Sequence, residues 1–158
     1  MNLLVVLQAV YLFLPAYFAN ASPVIFGGGA PLDGGVNWLD GKPFLGGHKT
    51  TKGTIFGITI GSIVGLLQGN FIGGVLQAVG AIFGDILASF LKRRINIEPG
   101  DSFPLADQLD FIILAVALSY PVQLTSWETI IVIILVTLPL HYLTNVVAYL
   151  LGLKKQPW

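Results

Sequence analysis

An aspartate at position 85 stands in an otherwise apolar stretch and is followed by a serine and a lysine at helical spacing. Asp85, Ser89 and Lys92 occupy positions i, i+4 and i+7, so a helix would carry them on one face. An aspartate within a membrane span is costly to bury and usually serves a function. We therefore expect a polar site here; the structural alternative is an Asp85–Lys92 ion pair that only ties helices together.

A second pair of carboxylates follows in the sequence A-D-Q-L-D. Asp107 and Asp110 are three residues apart, which places both on one side of a helix. The dipole of a helix N-terminus alone would favour carboxylates there. Together with Asp85, however, they would form a hard, oxygen-rich site, and Mg²⁺ is typically held by one or two carboxylates plus substrate phosphates. The three aspartates are therefore candidate ligands of Mg²⁺.

The segment of residues 20–52 is rich in glycine and carries lysines near its end. Exposed backbone amides together with Lys49, Lys52 and Thr50 suit the binding of a polyphosphate. The sequence G-G-H-K-T-T-K-G lacks the spacing of a P-loop, and composition alone equally allows a flexible linker. We expect His48 to be a polar loop residue, and His141 a packing or hydrogen-bonding residue.

The chain that must position these residues is 54% hydrophobic and 10% charged, and it contains no cysteine. Soluble domains are about 25% charged, so the supply of charge is unusually low. The composition excludes a nucleic-acid binder with a basic face, and it excludes a disulfide scaffold. It indicates a small protein that crosses a membrane several times.

Apolar segments of suitable length recur along the chain. A hydrocarbon core about 30 Å thick needs roughly 20 helical residues. We predict an all-α membrane protein with five transmembrane helices and a single catalytic domain over residues 1–158. The predicted spans are residues 2–19, 53–68, 71–91, 107–124 and 128–152, with loops at 20–52 and 92–106. Pro121 is expected to end or bend the fourth span.

The basic residues all fall on one side of this predicted topology. They are Lys42, Lys49, Lys52, Lys92, Arg93, Arg94, Lys154 and Lys155. The positive-inside rule makes that side cytoplasmic. We therefore predict a multi-pass protein of the cell membrane, with its N-terminus outside and both its C-terminus and its polar site in the cytoplasm. The first span lacks the positively charged start of a secretory signal.

Five sequence blocks, spread over nearly the whole chain, resemble a known enzyme family. They are N-A-S-P-V at 20–24, P-L-D-G-G at 31–35, D-G-K-P-F-L-G-G-H-K-T-T-K-G at 40–53, G-D-I-L-A-S-F-L-K-R-R at 84–94 and P-G-D-S-F-P-L-A-D-Q-L-D at 99–110. In this order they are similar to the CDP-archaeol synthases, the archaeal relatives of CDP-diacylglycerol synthase. Bacterial and eukaryotic relatives carry an arginine where this chain has Gln108, which fits the archaeal branch.

The resemblance implies a Mg²⁺-dependent cytidylyltransferase. It would join CTP to 2,3-di-O-geranylgeranylglyceryl phosphate, an isoprenoid ether lipid phosphate, and release CDP-archaeol and pyrophosphate. The lipid phosphate would attack the α-phosphorus of CTP, so no protein nucleophile is needed. Apolar grooves between the spans would hold the lipid chains, and no nucleic-acid partner is expected.

Roles for individual residues follow from the resemblance together with the residue types. Metal binding falls to Asp85, Asp107 and Asp110, and phosphate binding to Lys49, Lys52, Lys92 and Arg93, with hydroxyl contacts from Thr50 and Ser89. Asn20, Asp33 and the glycines after Pro31 are candidates for holding cytosine and ribose. Catalysis would depend on Asp85, Lys92, Asp107 and Asp110.

Three other functions are open to a chain of this kind. A CDP-alcohol phosphotransferase needs a long D-G-x-x-A-R signature, of which only Asp40 and Gly41 are present. A small transporter or channel that uses Asp85 is the main alternative, although the polar residues gather on one face and no internal repeat is evident. A non-catalytic membrane subunit would leave the polar residues without a use.

Overall fold

The computed structural model describes residues 3–156, which form six α-helices. These are α1 (Leu3–Leu12), α2 (Leu14–Phe26), α3 (Thr51–Leu67), α4 (Phe71–Arg94), α5 (Ala106–Gln123) and α6 (Trp127–Leu150). Residues 3–156 contain no β-strand, only isolated β-bridges that join Pro31 to Thr50 and Asn37 to Pro43. The prediction of an all-α protein is confirmed.

Some of the helices are long and apolar enough to cross a membrane. Among the described residues, α4 and α6 qualify singly, and the pair α1 and α2 qualifies jointly although it is bent by 59°. Helix α3 is apolar but shorter. The bend lies at Phe13, and Pro15 follows in the first turn of α2. Proline is tolerated in a first helical turn, where its missing N–H has no partner to lose.

Two helices extend into segments that the sequence analysis assigned to loops. Helix α2 continues to Phe26, so Asn20 is helical and the loop begins at residue 27, where the first glycine of the segment stands. Helix α4 continues to Arg94, so Lys92 and Arg93 lie in its last turn. Lysine and arginine are good helix formers, and cations are favoured at a helix C-terminus. The predicted loop starts at 20 and 92 were therefore wrong.

The remaining boundaries differ by one or two residues from the predicted ones. Helix α3 begins at Thr51, because the Thr50 hydroxyl oxygen caps it by accepting a hydrogen bond from the Gly53 N–H at 3.1 Å. Helix α5 runs two residues beyond Pro121 and ends at Gln123, and α6 covers Trp127–Leu150. Residue 2, where the first span was predicted to begin, lies outside the described residues.

Small residues bring the central helices into close contact. Helix α3 buries Gly53, Gly57, Gly61 and Gly65, spaced four apart on one face. A Cβ atom at Gly61 would lie 2.6 Å from the Ala78 Cβ atom of α4 and 2.7 Å from the Pro15 carbonyl oxygen of α2. Small residues at this spacing let helix backbones approach closely inside membranes. Helix α3 is therefore packed directly against α2 and α4.

Helices α4 and α5 approach equally closely at Gly84. A Cβ atom there would overlap the carbonyl oxygen of Asp110, so only glycine fits at this position. Because Asp85 follows Gly84 directly, the close approach brings the aspartate of α4 beside the aspartate of α5. The helix packing thus decides which carboxylates meet.

The loop of residues 27–50 is folded onto the last turns of α4. Trp38, Phe44 and Phe90 form an aromatic cluster with ring centroids 5.1 to 5.5 Å apart. The Arg94 guanidinium lies 4.8 Å from the centre of the Phe90 ring and 3.2 Å from an oxygen of Asp40. These contacts carry the loop over the charged end of α4.

Candidate functional site

Two ion pairs lie where the loop meets α4 and α5. The Lys49 ammonium donates to Asp85 at 2.6 Å. The Lys92 ammonium donates to both oxygens of Asp107, at 2.8 and 3.0 Å, and to the carbonyl oxygen of Asp101 at 2.6 Å. The alternative of an Asp85–Lys92 pair was wrong, because each residue has a partner from another segment. Each pair joins two elements of the fold.

Asp110 lies close enough to both ion pairs to feel their charges. Its side chain is half-buried, and the charges of Asp85, Lys49 and Asp107 all act on it. The backbone N–H of Phe111 donates to one Asp110 oxygen at 2.5 Å. The three aspartates named from the sequence therefore meet in one region, together with the ammonium groups of two lysines.

These carboxylates do not form a ready-made metal cage. Within residues 3–156, no group of three or more acidic or histidine side chains is arranged to hold a metal ion. Asp107 already accepts from Lys92 and from the Phe103 N–H at 2.8 Å. A site of one or two carboxylates completed by substrate phosphates is what Mg²⁺ commonly uses. Asp85 and Asp107 each already accept from a lysine, and the roles of Asp85, Asp107 and Asp110 as metal ligands all stay predictions.

Arg93 lies beneath the loop and is almost completely buried, with 5% of its surface exposed. Its Nε and Nη1 atoms have no hydrogen-bond partner among the described residues. Buried polar groups are normally paired, and a guanidinium is suited to phosphate oxygens. The free donors of Arg93 therefore agree with its predicted role as a phosphate ligand.

Asp33 organises the loop. One of its oxygens accepts from the Gly35 N–H at 2.9 Å, and the other accepts from Leu45 at 2.8 Å and Gly46 at 3.3 Å. Partial burial raises the pKa of Asp33, but these backbone hydrogen bonds outweigh it and hold the pKa below its ordinary value. Its predicted contact with the nucleotide remains a prediction beside this structural role.

The other predicted residues are divided between the site and the surface. A small cavity of about 40 Å³ is lined by Lys49, Thr50, His48 and Asp85. Lys52, in contrast, is exposed and lies 5.9 Å from the centre of the Phe56 ring on the outside of α3. Asn20 on α2 and Ser89 on α4 are half-buried. Lys49, Thr50 and Asp85 therefore line one cavity, whereas the Lys52 side chain lies against Phe56 instead.

The polar contacts at the C-terminal end of α6 were not predicted from the sequence. The Lys154 ammonium donates to the Asn145 side-chain oxygen at 3.1 Å, and the Asn145 amide lies 3.2 Å from the His141 ring. His141 was predicted to pack or to form hydrogen bonds, and this prediction is confirmed. The centroids of the His141 and Phe111 rings lie 5.8 Å apart. From the sequence, Lys154 served only to predict which side of the membrane the C-terminus occupies. Gly152, two residues earlier, was the available signal for a chain reversal.

An apolar groove opens beside the charged region. It has a volume of about 400 Å³ and lies between α4 and α5. Leu87, Leu91 and Ile113 are among the residues that line it, and Lys92 and Asp110 are part of the same lining. The groove therefore connects an apolar surface to two of the charged residues of the site.

The comparisons with known proteins agree on one family. The family model described as CarS-like: CDP-archaeol synthase matches residues 1–73 and 70–158. CDP-archaeol synthase from Methanocaldococcus jannaschii is 46% identical over 169 residues, which cover 95% of this chain and 96% of the relative. The protein of the same name from Pyrococcus furiosus is 40% identical over 164 residues, covering 97% of this chain and 98% of the relative.

A solved structure is also similar to this chain. It is described as an intramembrane enzyme for archaeal membrane lipids biosynthesis, and it matches with a TM-score of 0.81 and 39% sequence identity. The match covers 89% of this chain and 94% of that chain. The resemblance found in the sequence is confirmed by these matches over nearly the full length, and the chain belongs to the CDP-archaeol synthase family of enzymes.

Proposed function

We propose that this protein transfers the cytidylyl group of CTP to 2,3-di-O-geranylgeranylglyceryl phosphate, which yields CDP-archaeol and pyrophosphate. The observation that carries the proposal is the junction of two surfaces. Lys92 and Asp110 belong both to the charged region and to the apolar groove between α4 and α5. A lipid phosphate whose chains occupy that groove would present its headgroup to the charged residues.

The carboxylates would hold Mg²⁺ together with the phosphates of CTP. Asp85 and Asp110 are the ligands that the packing at Gly84 favours, and Asp107 is the third candidate. When bound, the ion would neutralise charge on the transferring phosphoryl group. The protein's share of catalysis is then positioning and electrostatic stabilisation, which dominate phosphoryl-transfer reactions.

The lysines and the arginine would bind phosphate oxygens. Lys49 and Lys92 are held by carboxylates that are themselves metal candidates, so binding of substrate and metal would exchange the partners of both ion pairs. Arg93 adds unpaired donors, and Thr50 and Ser89 can add hydroxyl contacts. An oxygen of the lipid phosphate forms the new bond to the α-phosphorus while the bond to the bridging oxygen breaks and pyrophosphate leaves.

The helices would form five membrane spans in the cell membrane. The bent pair α1 and α2 would be the first span, and α3, α4, α5 and α6 the others. This arrangement puts the loop of residues 27–50, the loop after α4 and the C-terminus on one side, together with all eight basic residues. The positive-inside rule makes this side cytoplasmic, where CTP is found, and leaves the N-terminus outside.

The alternative of a transporter or channel that uses Asp85 is not favoured. Asp85 lies in the C-terminal half of α4 and pairs with a loop lysine, and Lys92, Arg93 and Asp107 lie nearer the C-terminal end of that helix. A transporter binds its substrate near the middle of the membrane, between related halves. Most of the charge in this chain is gathered towards one end instead, and Glu128 is the exception.

The proposal is tested by product formation. Purified protein in detergent, given labelled CTP, Mg²⁺ and the unsaturated lipid phosphate, should form a labelled lipid. Asp110→Asn should lower turnover by about a thousandfold, because it removes a carboxylate that would hold Mg²⁺ against the substrate phosphates. Glu128→Gln is the matched control, since Glu128 is an exposed acid in the first turn of α6, and it should keep normal activity.

One outcome would contradict the proposed reaction, and another would contradict only the role of Asp110. The first is a wild-type protein that is folded and binds CTP but forms no labelled lipid. The second is an Asp110→Asn variant that works as well as Glu128→Gln, which would remove Asp110 from the site while leaving the overall reaction in place.

A further inference from the structure

The C-terminal end of α6 turns back towards the body of the protein. The Gly152 N–H donates to the Tyr149 carbonyl at 2.9 Å, and the Leu153 N–H donates to the Ala148 carbonyl at 2.9 Å. Gly152 itself has a φ of +71°. This is the hydrogen-bond pattern of a Schellman motif, in which a left-handed glycine ends a helix. The chain after α6 is therefore reversed by its own sequence.

The reversal places Lys154 against the last turns of α6. Its ammonium group donates to the Asn145 side-chain oxygen at 3.1 Å, and the amide nitrogen of Asn145 lies 3.2 Å from the Nδ1 atom of His141. Lys154 is half-buried, whereas Lys155 is exposed. The side chains of His141, Asn145 and Lys154 thus form a polar row along the end of α6.

This row faces the charged region of α4 and α5. The His141 ring contacts the ring of Phe111, the neighbour of Asp110, with centroids 5.8 Å apart. The charges of Asp107, Lys49, Asp85 and Lys92 all act on Lys154, while burial lowers the pKa of its ammonium group below the ordinary value. A lysine after the last helix therefore lies within electrostatic range of the site.

We propose that Lys154 binds a phosphate group of a substrate and that Asn145 is the residue that positions it. The inference rests on the proposed function and extends it to a fourth element of the fold. A triphosphate and a lipid phosphate bring several negative charges to the aspartates and lysines of the site. A lysine on which the charges of Asp107 and Asp85 act is close enough to help balance them. Lysine binds such oxygens as a compact point charge.

Equilibrium binding tests this role independently of turnover. The affinities of the detergent-solubilised full chain for Mg²⁺–CTP and for the geranylgeranyl lipid phosphate are measured separately. Lys154→Gln should weaken binding of one of them about tenfold or more, because a charge-assisted hydrogen bond is lost. Weaker CTP binding alone assigns Lys154 to the triphosphate, and weaker lipid binding alone assigns it to the lipid headgroup.

Further variants separate binding from a merely structural role. Lys155→Gln removes the neighbouring charge and should bind both substrates normally, and Lys154→Arg should recover most of the lost affinity. Asn145→Leu should weaken the same substrate as Lys154→Gln, and the double variant should lose no more than Lys154→Gln alone, because the two residues act together. A cap that only stabilises α6 would change the melting temperature and neither affinity.

The inference is overturned if Lys154→Gln, folded by its melting temperature and elution volume, binds both substrates within twofold of wild type. Should that variant fail to fold, unchanged affinities in Asn145→Leu overturn it equally. Failure of the proposed function is a separate result: wild-type protein would form no labelled lipid, whatever the affinities of these variants.

Discussion

The two ends of the helical bundle use their polar side chains in different ways. At the end that carries the loop of residues 27–50, lysines pair with aspartates from other segments. At the opposite end, neutral amides bind backbone and each other. The side chain of Gln77 is fully buried, and its nitrogen donates to the Leu12 carbonyl at 2.9 Å and to the Gln123 side-chain oxygen at 3.0 Å.

The difference lies in how easily the partners can be replaced. The Leu12 carbonyl lies at the bend between α1 and α2, and without Gln77 it would lose a partner inside the bundle. The side chains of the ion pairs keep 12% to 28% of their surface exposed. Breaking such a largely buried ion pair is costly while a charge is left unpaired, so its members can change partners when a ligand supplies new ones. One end therefore fixes the helices, and the other can rearrange around a ligand.

The largest effect should come from breaking an ion pair at the charged end. We expect Lys92→Ala to lower turnover by about 10²–10³-fold, because a positioned cation is lost from the site. The fold should survive, since Asp107 keeps its hydrogen bond from the Phe103 N–H and lies in the first turn of α5, where the helix dipole favours a carboxylate. Labelled-lipid formation and the melting temperature in detergent measure both effects.

A Lys92→Ala variant with near-normal turnover would remove this lysine from the site. A variant that is inactive because it no longer folds would instead show that the charged end fixes the helices as firmly as the amide end does. Lys92→Arg, which keeps the charge, should fold normally in either case.

An opposite pattern is expected at the amide end. Gln77→Leu should lower the stability by about 1 kcal/mol, because the Leu12 carbonyl and the Gln123 side chain each lose a hydrogen bond inside the bundle. The affinities for CTP and lipid phosphate should be unchanged. Thermal unfolding in detergent measures the first effect and equilibrium binding the second. Weaker substrate binding with an unchanged melting temperature would contradict the division between the two ends.

Much of the charged end could be predicted from spacing along the chain. Asp107 and Asp110 share a helix with a start near Ala106, and Asp85 precedes Lys92 by two turns, so local periodicity was sufficient to choose these residues. The meeting of α4 and α5 could also have been inferred, because Gly84 next to an aspartate in an apolar segment signals a close helix contact.

The partners of these residues could not be predicted in the same way. Lys49 reaches Asp85 only because the loop folds over α4, and that depends on the aromatic cluster of Trp38, Phe44 and Phe90. Lys154 comes within electrostatic range of these residues only through the chain reversal at Gly152. Contacts between residues far apart in sequence are set by tertiary packing, which periodicity does not contain.

The smallest effect is expected from a substitution of Asp33. This residue lies at the charged end of the bundle, but its carboxylate accepts structural hydrogen bonds, as the amides do at the other end. Asn at this position would weaken the hydrogen bonds from Gly35, Leu45 and Gly46, loosen the loop and expose Trp38. Trp38 emission, recorded in a background with the other two tryptophans replaced by phenylalanine, reports this packing. At pH 7, Asp33→Asn should shift the emission slightly to the red.

The pH dependence of the Trp38 emission follows from the pKa of Asp33. Partial burial raises this pKa, but the backbone hydrogen bonds outweigh burial and hold it below its ordinary value. A carboxylate with a depressed pKa stabilises the fold fully above its unfolded pKa of about 3.9, and this stabilisation is lost as the pH falls through the folded value. Wild-type emission should therefore be constant from neutral pH down to about 5 and approach that of Asp33→Asn only in stronger acid. A transition near neutral pH, or identical emission of both proteins at pH 7, would mean that another group holds the loop in place.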